Sequence, residues 1–384
     1  MNRIIECFFV ALRLGCTSFG GPVAHVSYFR EEYVVRRRWI SEEKFGELMA
    51  LTQFLPGPGS SQLGAAIGHH RAGLAGGFAA WLGFTLPSAV LMVIVALGMG
   101  QLGSDDGGMI KGLKLVALAV VTGAWLGMRE SLSPDIKRML IVALAFVVLW
   151  FFREPWMTIL VIAAAAIGGI FLLRVEPKEV SDAGEEEGKP GILGWLALML
   201  FAGLLLSSFG NGHLLGGIYR AGALVFGGGH VVLPMLHETM VIDGPMTEEV
   251  FLGGYGATQA VPGPVFTFAA FLGASSNLMG NPWLGAASAL VAVFLPGMLL
   301  LAGTLNIWRH LRTRSWAQKA IQGANAAVVG VLGVALVQMA SSGSVGGIFD
   351  GLLFALFFLI LRKKIIPVWA LVILAALGGS LIIH

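Results

Sequence analysis

The sequence predicts an all-α polytopic membrane protein of two inverted-topology repeats, with re-entrant or broken helices meeting at the bilayer midplane. Three observations predict it: an apolar composition, a motif-bearing segment that occurs twice, and a Lys/Arg bias that reverses between the two occurrences. Of 384 residues, 56% are hydrophobic and 12% charged, and the mean hydropathy is +0.81. Soluble domains carry about 25% charged residues. Apolar runs at 83–100, 113–130, 156–173, 192–208, 284–305, 323–340 and 366–383 reach bilayer length, roughly 18–22 residues.

The first element, MNRIIECFFVALRLG, holds Glu6 and Arg13 within its apolar stretch and has no small-residue cleavage site, so it reads as a retained segment. A net charge of +3 asks for no nucleic-acid partner. Cys7 and Cys16 fall on one helix, about 13 Å apart along its axis, too far for a disulfide. No His or Cys spacing suits a metal, and no cofactor is expected.

The duplication has a shift of roughly 206–211 residues. Arg13-Leu14-Gly15 matches Arg220-Ala221-Gly222, and Phe19-Gly20-Gly21 matches Phe226-Gly227-Gly228. Ser41-Glu42-Glu43 matches Thr247-Glu248-Glu249, Thr52-Gln53 matches Thr258-Gln259, and Pro56-Gly57-Pro58 matches Pro262-Gly263-Pro264. Gly112 and Gly323 anchor a later match. The predicted organisation is a first repeat at 1–174, a solvated linker at 175–191, a connecting transmembrane helix at 192–210 and a second repeat at 211–384. Two repeats joined by one extra span is how a carrier with inverted repeats is built.

Charge gives the orientation, because Lys and Arg accumulate in cytoplasmic loops. The loop 30–44 carries Arg30, Arg36, Arg37, Arg38 and Lys44, whereas its counterpart, HETMVIDGPMTEE at 237–249, has no basic residue. The segment 101–108 has none, and its counterpart has Arg309, Arg312, Arg314 and Lys319. The bias reverses, so the repeats are expected to be inverted. Loop 30–44 and His69-His70-Arg71 both look cytoplasmic, which makes 45–68 a re-entrant hairpin with Pro-Gly-Pro at its tip. Segment 250–274 should enter likewise from the other side.

Proline cannot continue a helix, and irregular backbone survives at membrane depth only where protein or a water-lined cavity satisfies it. A half-helix beginning there offers free N–H groups and about half a positive charge. Pro58 and Pro264 suit the first helical position, as does Pro22 after Gly20 and Gly21. Gly227, Gly228 and Gly229 mark the matching break in the second half. Four such ends would favour a small dianion. Gly59, Ser60 and Ser61 follow the first Pro-Gly-Pro as donors, with Thr267 in the second half. Gln53 and Gln259 precede the breaks and either bind substrate or tie down freed backbone. Arg13 and Arg220, inside apolar segments, are functional candidates that could instead snorkel or pair with a carboxylate. His25, His230, Glu31, Glu32 and Glu238 are candidate proton carriers or ordinary helix-end and interfacial groups.

The stretch FGGPVAHVSYFREEYVVRRRWISEEKFGELMALTQFLPGPGSSQLGAAIG resembles the first-half signature of the chromate ion transporter family. FGGGHVVLP and ATQAVPGPVFTFAAFLG resemble the second-half motif of its long, two-domain members. The likeness covers almost the whole chain except the linker. It implies a multi-pass protein of the cell inner membrane that exports chromate from the cytoplasm using the proton motive force, with sulfate as a competing near-isostere. Gly20, Gly21, Pro22, Gln53, Pro56, Gly57, Pro58, Gly227, Gly228, His230, Gln259, Pro262, Gly263 and Pro264 match those motifs. Gly229 stands where the first half has Pro22. The expected partners are the oxyanion, membrane lipid and protons as coupling ion; a homodimer is left open.

A primary pump is disfavoured because no G-x-x-x-x-G-K-[ST] loop occurs. An intramembrane protease would need a nucleophile from GPGSS or from SSGS at 341–344, and neither is the Gly-x-Ser-x-Gly elbow. HETM at 237–240 lacks the second histidine of a zinc protease. The protein is not expected to be an enzyme. An anion channel or exchanger for sulfate-like oxyanions is the main alternative.

Overall fold

The computed structural model describes residues 2–100, 107–152, 155–174, 191–209, 213–225, 232–305, 308, 314–341 and 346–382. Every regular element among them is helical. The chain runs α1 (Arg3–Thr17), α2 (Gly21–Phe29) with a π-helical turn Arg30–Arg36, α3 (Glu42–Phe54) and α4 (Gly59–Met99). It continues through α5 (Gly107–Leu132), α6 (Ile136–Phe151), α7 (Pro155–Leu172) and α8 (Ile192–Ser207). Then come α9 (Leu214–Ala223), α10 (Val232–His237) with a second π-helical turn Glu238–Ile242, α11 (Glu248–Thr258), a 3₁₀ turn Val265–Thr267 and α12 (Phe268–Ser275). The last four are α13 (Pro282–Thr304), α14 (Ser315–Met339), α15 (Ile348–Arg362) and α16 (Val368–Ile382).

Local chemistry explains the boundaries. Side chains of Asn2, Ser41, Asp135, Thr247 and Asn281 accept from the first free amides of α1, α3, α6, α11 and α13. The element order α1–α7 recurs in α9–α16, down to a π-helical turn after the short helix that follows each first break. Helix α4 is two helices across a kink at Ala72 and Gly73, where Gly73 has φ +67°. Its parts, 59–71 and 74–99, fold back so closely that a methyl on Gly68 would lie 2.4 Å from the Gly76 carbonyl oxygen. The second half repeats this: a methyl on Gly273 would lie 2.1 Å from the Gly285 carbonyl oxygen.

The chain is a multi-pass membrane protein. Four described helices, Gly59–Met99, Gly108–Leu132, Pro282–Thr304 and Ser315–Met339, are long and apolar enough to cross a bilayer. Shorter apolar helices, including Trp156–Leu172, Ile192–Ser207 and Val368–Gly379, accompany them. The apolar α6 and α15 are additional to the runs expected from sequence. Leu140, Leu144, Val147 and Phe151 of α6 and Leu193, Leu196 and Leu200 of α8 are all exposed. Apolar surface this continuous marks a lipid or partner contact.

The two halves interlock. Helix α5 packs on α16 and α15, α14 packs on α7 and α6, and α12 packs on α4. The first two seams are made at equivalent glycines: Gly112 abuts the Ala375 carbonyl, and Gly323 abuts the Ala165 carbonyl. In lipid, where apolar side chains gain nothing by leaving the solvent, such small-residue backbone contacts hold helices together. One buried cluster, including Met92, Val121, Phe251, Phe268, Phe294 and Leu332, draws on both halves.

Helix α3 and the 59–71 part of α4 form a hairpin, across the segment 45–68 read as re-entrant in the sequence. Arg71 lies over the Trp39 ring, 5.2 Å from its centre, so the end of 59–71 returns beside the start of α3. The tip at Gly57 sits against Gly297, in the middle of α13. In the second half, Phe268 of α12 packs on Phe251 and Tyr255 of α11, again two arms side by side below a Pro-Gly-Pro tip.

Candidate functional site

Each Pro-Gly-Pro tip is tied to the break of the other half. Gly57 donates its N–H to the Val225 carbonyl at 2.7 Å, and Gly263 donates to the Ser18 carbonyl at 2.9 Å. Ser18 and Val225 are equivalent positions. Both glycines are left-handed, with φ +123° and +97°, a conformation that glycine adopts at little cost. Both amides are thereby spent holding the halves together and are not free for an anion. Pro56, Pro58, Pro262 and Pro264 have no N–H to offer.

The free donors lie next to the tips. Gly59, Ser60 and Ser61 open the 59–71 helix, so their amides have no carbonyl within it. Pro58 is the cap residue, one position earlier than expected. Ser60 and Ser61 are buried, and Ser61 Oγ has no hydrogen-bond partner among the described residues. Gln62, not Gln53, ties down the break: its Nε2 donates to the carbonyls of Pro56 at 3.1 Å and Gly297 at 2.9 Å. Gln53 is exposed. Its counterpart Gln259 is half-buried, and its Nε2 is without a partner among the described residues.

A second group of donors surrounds the Gly263 tip. Ser18 is fully buried and its Oγ is unpartnered among the described residues, as is Thr85 Oγ1. His25 is also fully buried, with its ring 5.2 Å from that of Phe84. It meets the Ser18 backbone only at the margin of hydrogen-bonding geometry. A methyl at Gly263 would lie 2.9 Å from Ser88 Oγ, which donates to the Thr85 carbonyl. Buried polar groups are nearly always hydrogen-bonded, so a collection of unpartnered donors in an apolar core is an invitation to an acceptor-rich ligand. Thr267 does not join it, because its hydroxyl is spent on the Pro264 carbonyl. Gly20 is exposed, and Gly21 and Pro22 start α2. Gly227, Gly228, Gly229 and His230 lie outside the described residues.

The charged candidates lie apart from these donors. Glu32 is 3% exposed and is held by Arg13, by Arg37 at 2.6 Å and by Arg36 at 3.5 Å. Arg37 continues to Glu6 at 3.3 Å, and Glu6 to Arg71 at 3.1 Å. This chain of ion pairs clamps α1, the first π-helical turn and the end of 59–71. Burial pushes the Glu32 carboxyl up, but the Arg37 hydrogen bond and the arginine charges outweigh it and hold the group below the usual carboxylate range. Glu31 is exposed. In the second half Arg220 donates to the Ser208 carbonyl, lies over the Phe209 ring, and shares a cleft with Glu238, Thr239 and Asp243.

Sequence reading missed Ser18, Gln62 and Thr85. Gln62 carries a usable signal, a buried-side glutamine one turn after a helix-breaking proline. Ser18 and Thr85 carry none, because single hydroxyls are common in membrane helices.

The family model described as "Chromate transporter" matches residues 5–170 and 212–379. The chain is 26% identical over 353 residues to the chromate transport protein of Pseudomonas aeruginosa, covering 86% of this chain and 79% of that protein. It is similarly 26% identical over 344 residues to the chromate transport protein of Cupriavidus metallidurans, covering 86% and 80%. The uncharacterized transporter YwrA of Bacillus subtilis is 26% identical over 177 residues, 44% of this chain and 96% of its own length. No solved structure matches the chain.

Proposed function

The chain belongs to the chromate transporter family, and from that premise we propose that it is a secondary carrier exporting chromate from the cytoplasm, driven by the proton motive force. The proposal includes two inverted repeats in the cell inner membrane, with the oxyanion bound where the helix breaks meet. The observation that carries it is the set of donors at the breaks without a partner among the described residues: Ser18, Ser61, Thr85 and Gln259. A tetrahedral dianion offers acceptors in every direction, and neutral donors with helix-end partial charges hold it without a buried full charge to neutralise. Such a site releases its ligand more readily than an arginine cage, as a carrier requires. Sulfate has the same shape and charge and should compete.

The test is flux in proteoliposomes loaded with chromate, with an imposed pH gradient or membrane potential. Movement of chromate against its own gradient, abolished by a protonophore and slowed by sulfate, is the expected result. Flux that only runs downhill would replace the carrier by an anion channel, and no flux of either anion would overturn the substrate assignment.

A further inference from the structure

Equivalent helices in the two halves meet different surroundings. Helix α11 packs along α5 and against α4, whereas α3, its counterpart, packs along neither α14 nor α13. The contrast lies on one helix face. In α11 that face holds Glu249, Leu252, Gly253 and Gly256, and it is closed. Leu252 is fully buried. A methyl on Gly256 would lie 2.6 Å from the Leu113 carbonyl oxygen, and one on Gly253 would lie 2.8 Å from Met99 Cε. In α3 the same face holds Glu43, Gly46, Glu47, Ala50 and Gln53. Glu43 and Gln53 are exposed, and a methyl on Gly46 would meet nothing within 4 Å among the described residues. At the deep end of this face the Phe54 ring meets Trp308. The opposite face of α3, with Phe45, Leu48, Leu51 and Thr52, is buried. A bare stripe that carries carboxylates and an amide faces water and not lipid, because such groups are costly in lipid.

The closed side also has an ion pair whose counterpart is missing on the open side. Lys114 of α5 is nearly buried and donates to Glu249 of α11 at 3.1 Å. Counting from the equivalent Gly112 and Gly323, Lys114 corresponds to Asn325 of α14, and Glu249 corresponds to Glu43. Asn325 Oδ1 has no partner among the described residues. An amide meeting Glu43 would make a weaker bond than the two full charges of Lys114 and Glu249.

We propose that this is the cytoplasm-facing state of the carrier, and that Lys114 with Glu249 seals its outer face. By the Lys/Arg bias, loop 30–44, which leads into α3, is cytoplasmic, and 237–249, which leads into α11, is outside. The bare face of α3 is then the path by which an oxyanion reaches the donors at the breaks, as an exporter needs when it loads. In the outward-facing state the two arms exchange surroundings. Helix α3 closes on α14 through Gly46 and Ala50, small residues suited to close packing, while α11 leaves α5 as Lys114 and Glu249 part. The stronger seal is the outer one, so the resting chain faces the cytoplasm. The inference rests on the carrier reading above and names the residues that set its resting direction.

The test is labelling of single cysteines by an impermeant maleimide in membrane vesicles of both orientations, in a chain whose Cys7 and Cys16 are replaced by alanine. Gly46→Cys should react from the cytoplasmic face, and Leu252→Cys, its counterpart, from neither face. Glu249→Gln strands the buried Lys114 charge. It should raise outer-face labelling of Leu252→Cys and lower labelling of Gly46→Cys, each by roughly fivefold, the shift that about 1 kcal/mol makes. Asn325→Lys supplies the missing partner for Glu43 and should also lower labelling of Gly46→Cys. Equal reactivity of the two cysteines, each from its own face, would overturn the one-sided opening, as would an unreactive Gly46→Cys. Unchanged labelling in both charge variants, with melts like the parent's, would overturn the seal. The expected labelling without any chromate flux would instead overturn the carrier reading beneath it.

Discussion

Gly57 hands its amide hydrogen to the Val225 carbonyl across the boundary between the halves, at 2.7 Å. The equivalent Gly263 amide returns the gesture to Ser18 at 2.9 Å. These reciprocal bonds make the Pro-Gly-Pro tips the keystones that position the donors, which separates the roles of neighbouring residues and makes them testable.

Gly57→Ala and Gly263→Ala should both lower stability. Alanine at these left-handed φ values is strained by about 1–2 kcal/mol. The new methyl would also lie 3.0 Å from Gly297 Cα in one case and 2.9 Å from Ser88 Oγ in the other. A clear fall in the thermal midpoint of the detergent-solubilised protein is expected. An unchanged midpoint would mean that the tips are looser than described.

Ser18→Ala, Ser61→Ala and Thr85→Val should do the reverse, weakening chromate without loss of stability. Each removes a donor with no protein partner among the described residues. A hydrogen bond to a charged ligand contributes about 1.5–3 kcal/mol, so affinity should fall roughly 10- to 150-fold. Gln62→Leu is the contrast, because it removes the tie from the break to α13 and the Nε2 donor to the Pro56 carbonyl, and should lower the melting midpoint. Equal chromate binding in all three hydroxyl variants would place the anion elsewhere.

Removing the Glu32 carboxylate should be costly near neutrality. Breaking a buried ion pair costs about 3–5 kcal/mol; with the arginines part-exposed, roughly 2–4 kcal/mol is expected for Glu32→Gln. Because the arginines depress its folded pKa, the stabilisation is fully present above the ordinary glutamate value of about 4.3. It is lost as pH falls through the lower folded value. Parent and variant melts should therefore differ at pH 7 and converge in strong acid. A constant difference at all pH values would assign the effect to packing.

Single cysteines in loops 30–44 and 237–249 should be labelled from opposite sides of the membrane by an impermeant reagent. Cysteines in 30–44 and 69–75 should be labelled from the same side. Same-side labelling of the first pair would refute inversion, and opposite-side labelling of the second would make 42–71 a full span.

What was legible in advance was what backbone chemistry writes locally. Proline and glycine announce a break wherever they stand, so both Pro-Gly-Pro tips and the first-half glycine break could be read from residue type alone. Side-chain direction could not. Gln53 and Gln62 flank the same break at similar distances, yet packing turns Gln53 outward and sends Gln62 across to α13. Ser18 and Thr85 become site residues only because α1, α4 and the opposite tip converge on them. Helices α6 and α15 were overlooked for a different reason: Lys137 and Arg138 in one and Asp350 in the other cut the uninterrupted apolar run below the length by which a span is recognised.

The seams of α5 on α16 and of α14 on α7 carry a consequence for biogenesis. Each half packs a helix against the other's flank, so the two are expected to depend on one another for folding. A ribosome that has released only the first repeat has made an object with an open flank, and it must wait for the second to be threaded beside it. Encoding both halves in one message fixes their ratio at one to one and keeps the waiting partner within reach. Split at 175–190 and made separately, the pieces should accumulate only when produced together, each alone being left for the membrane proteases.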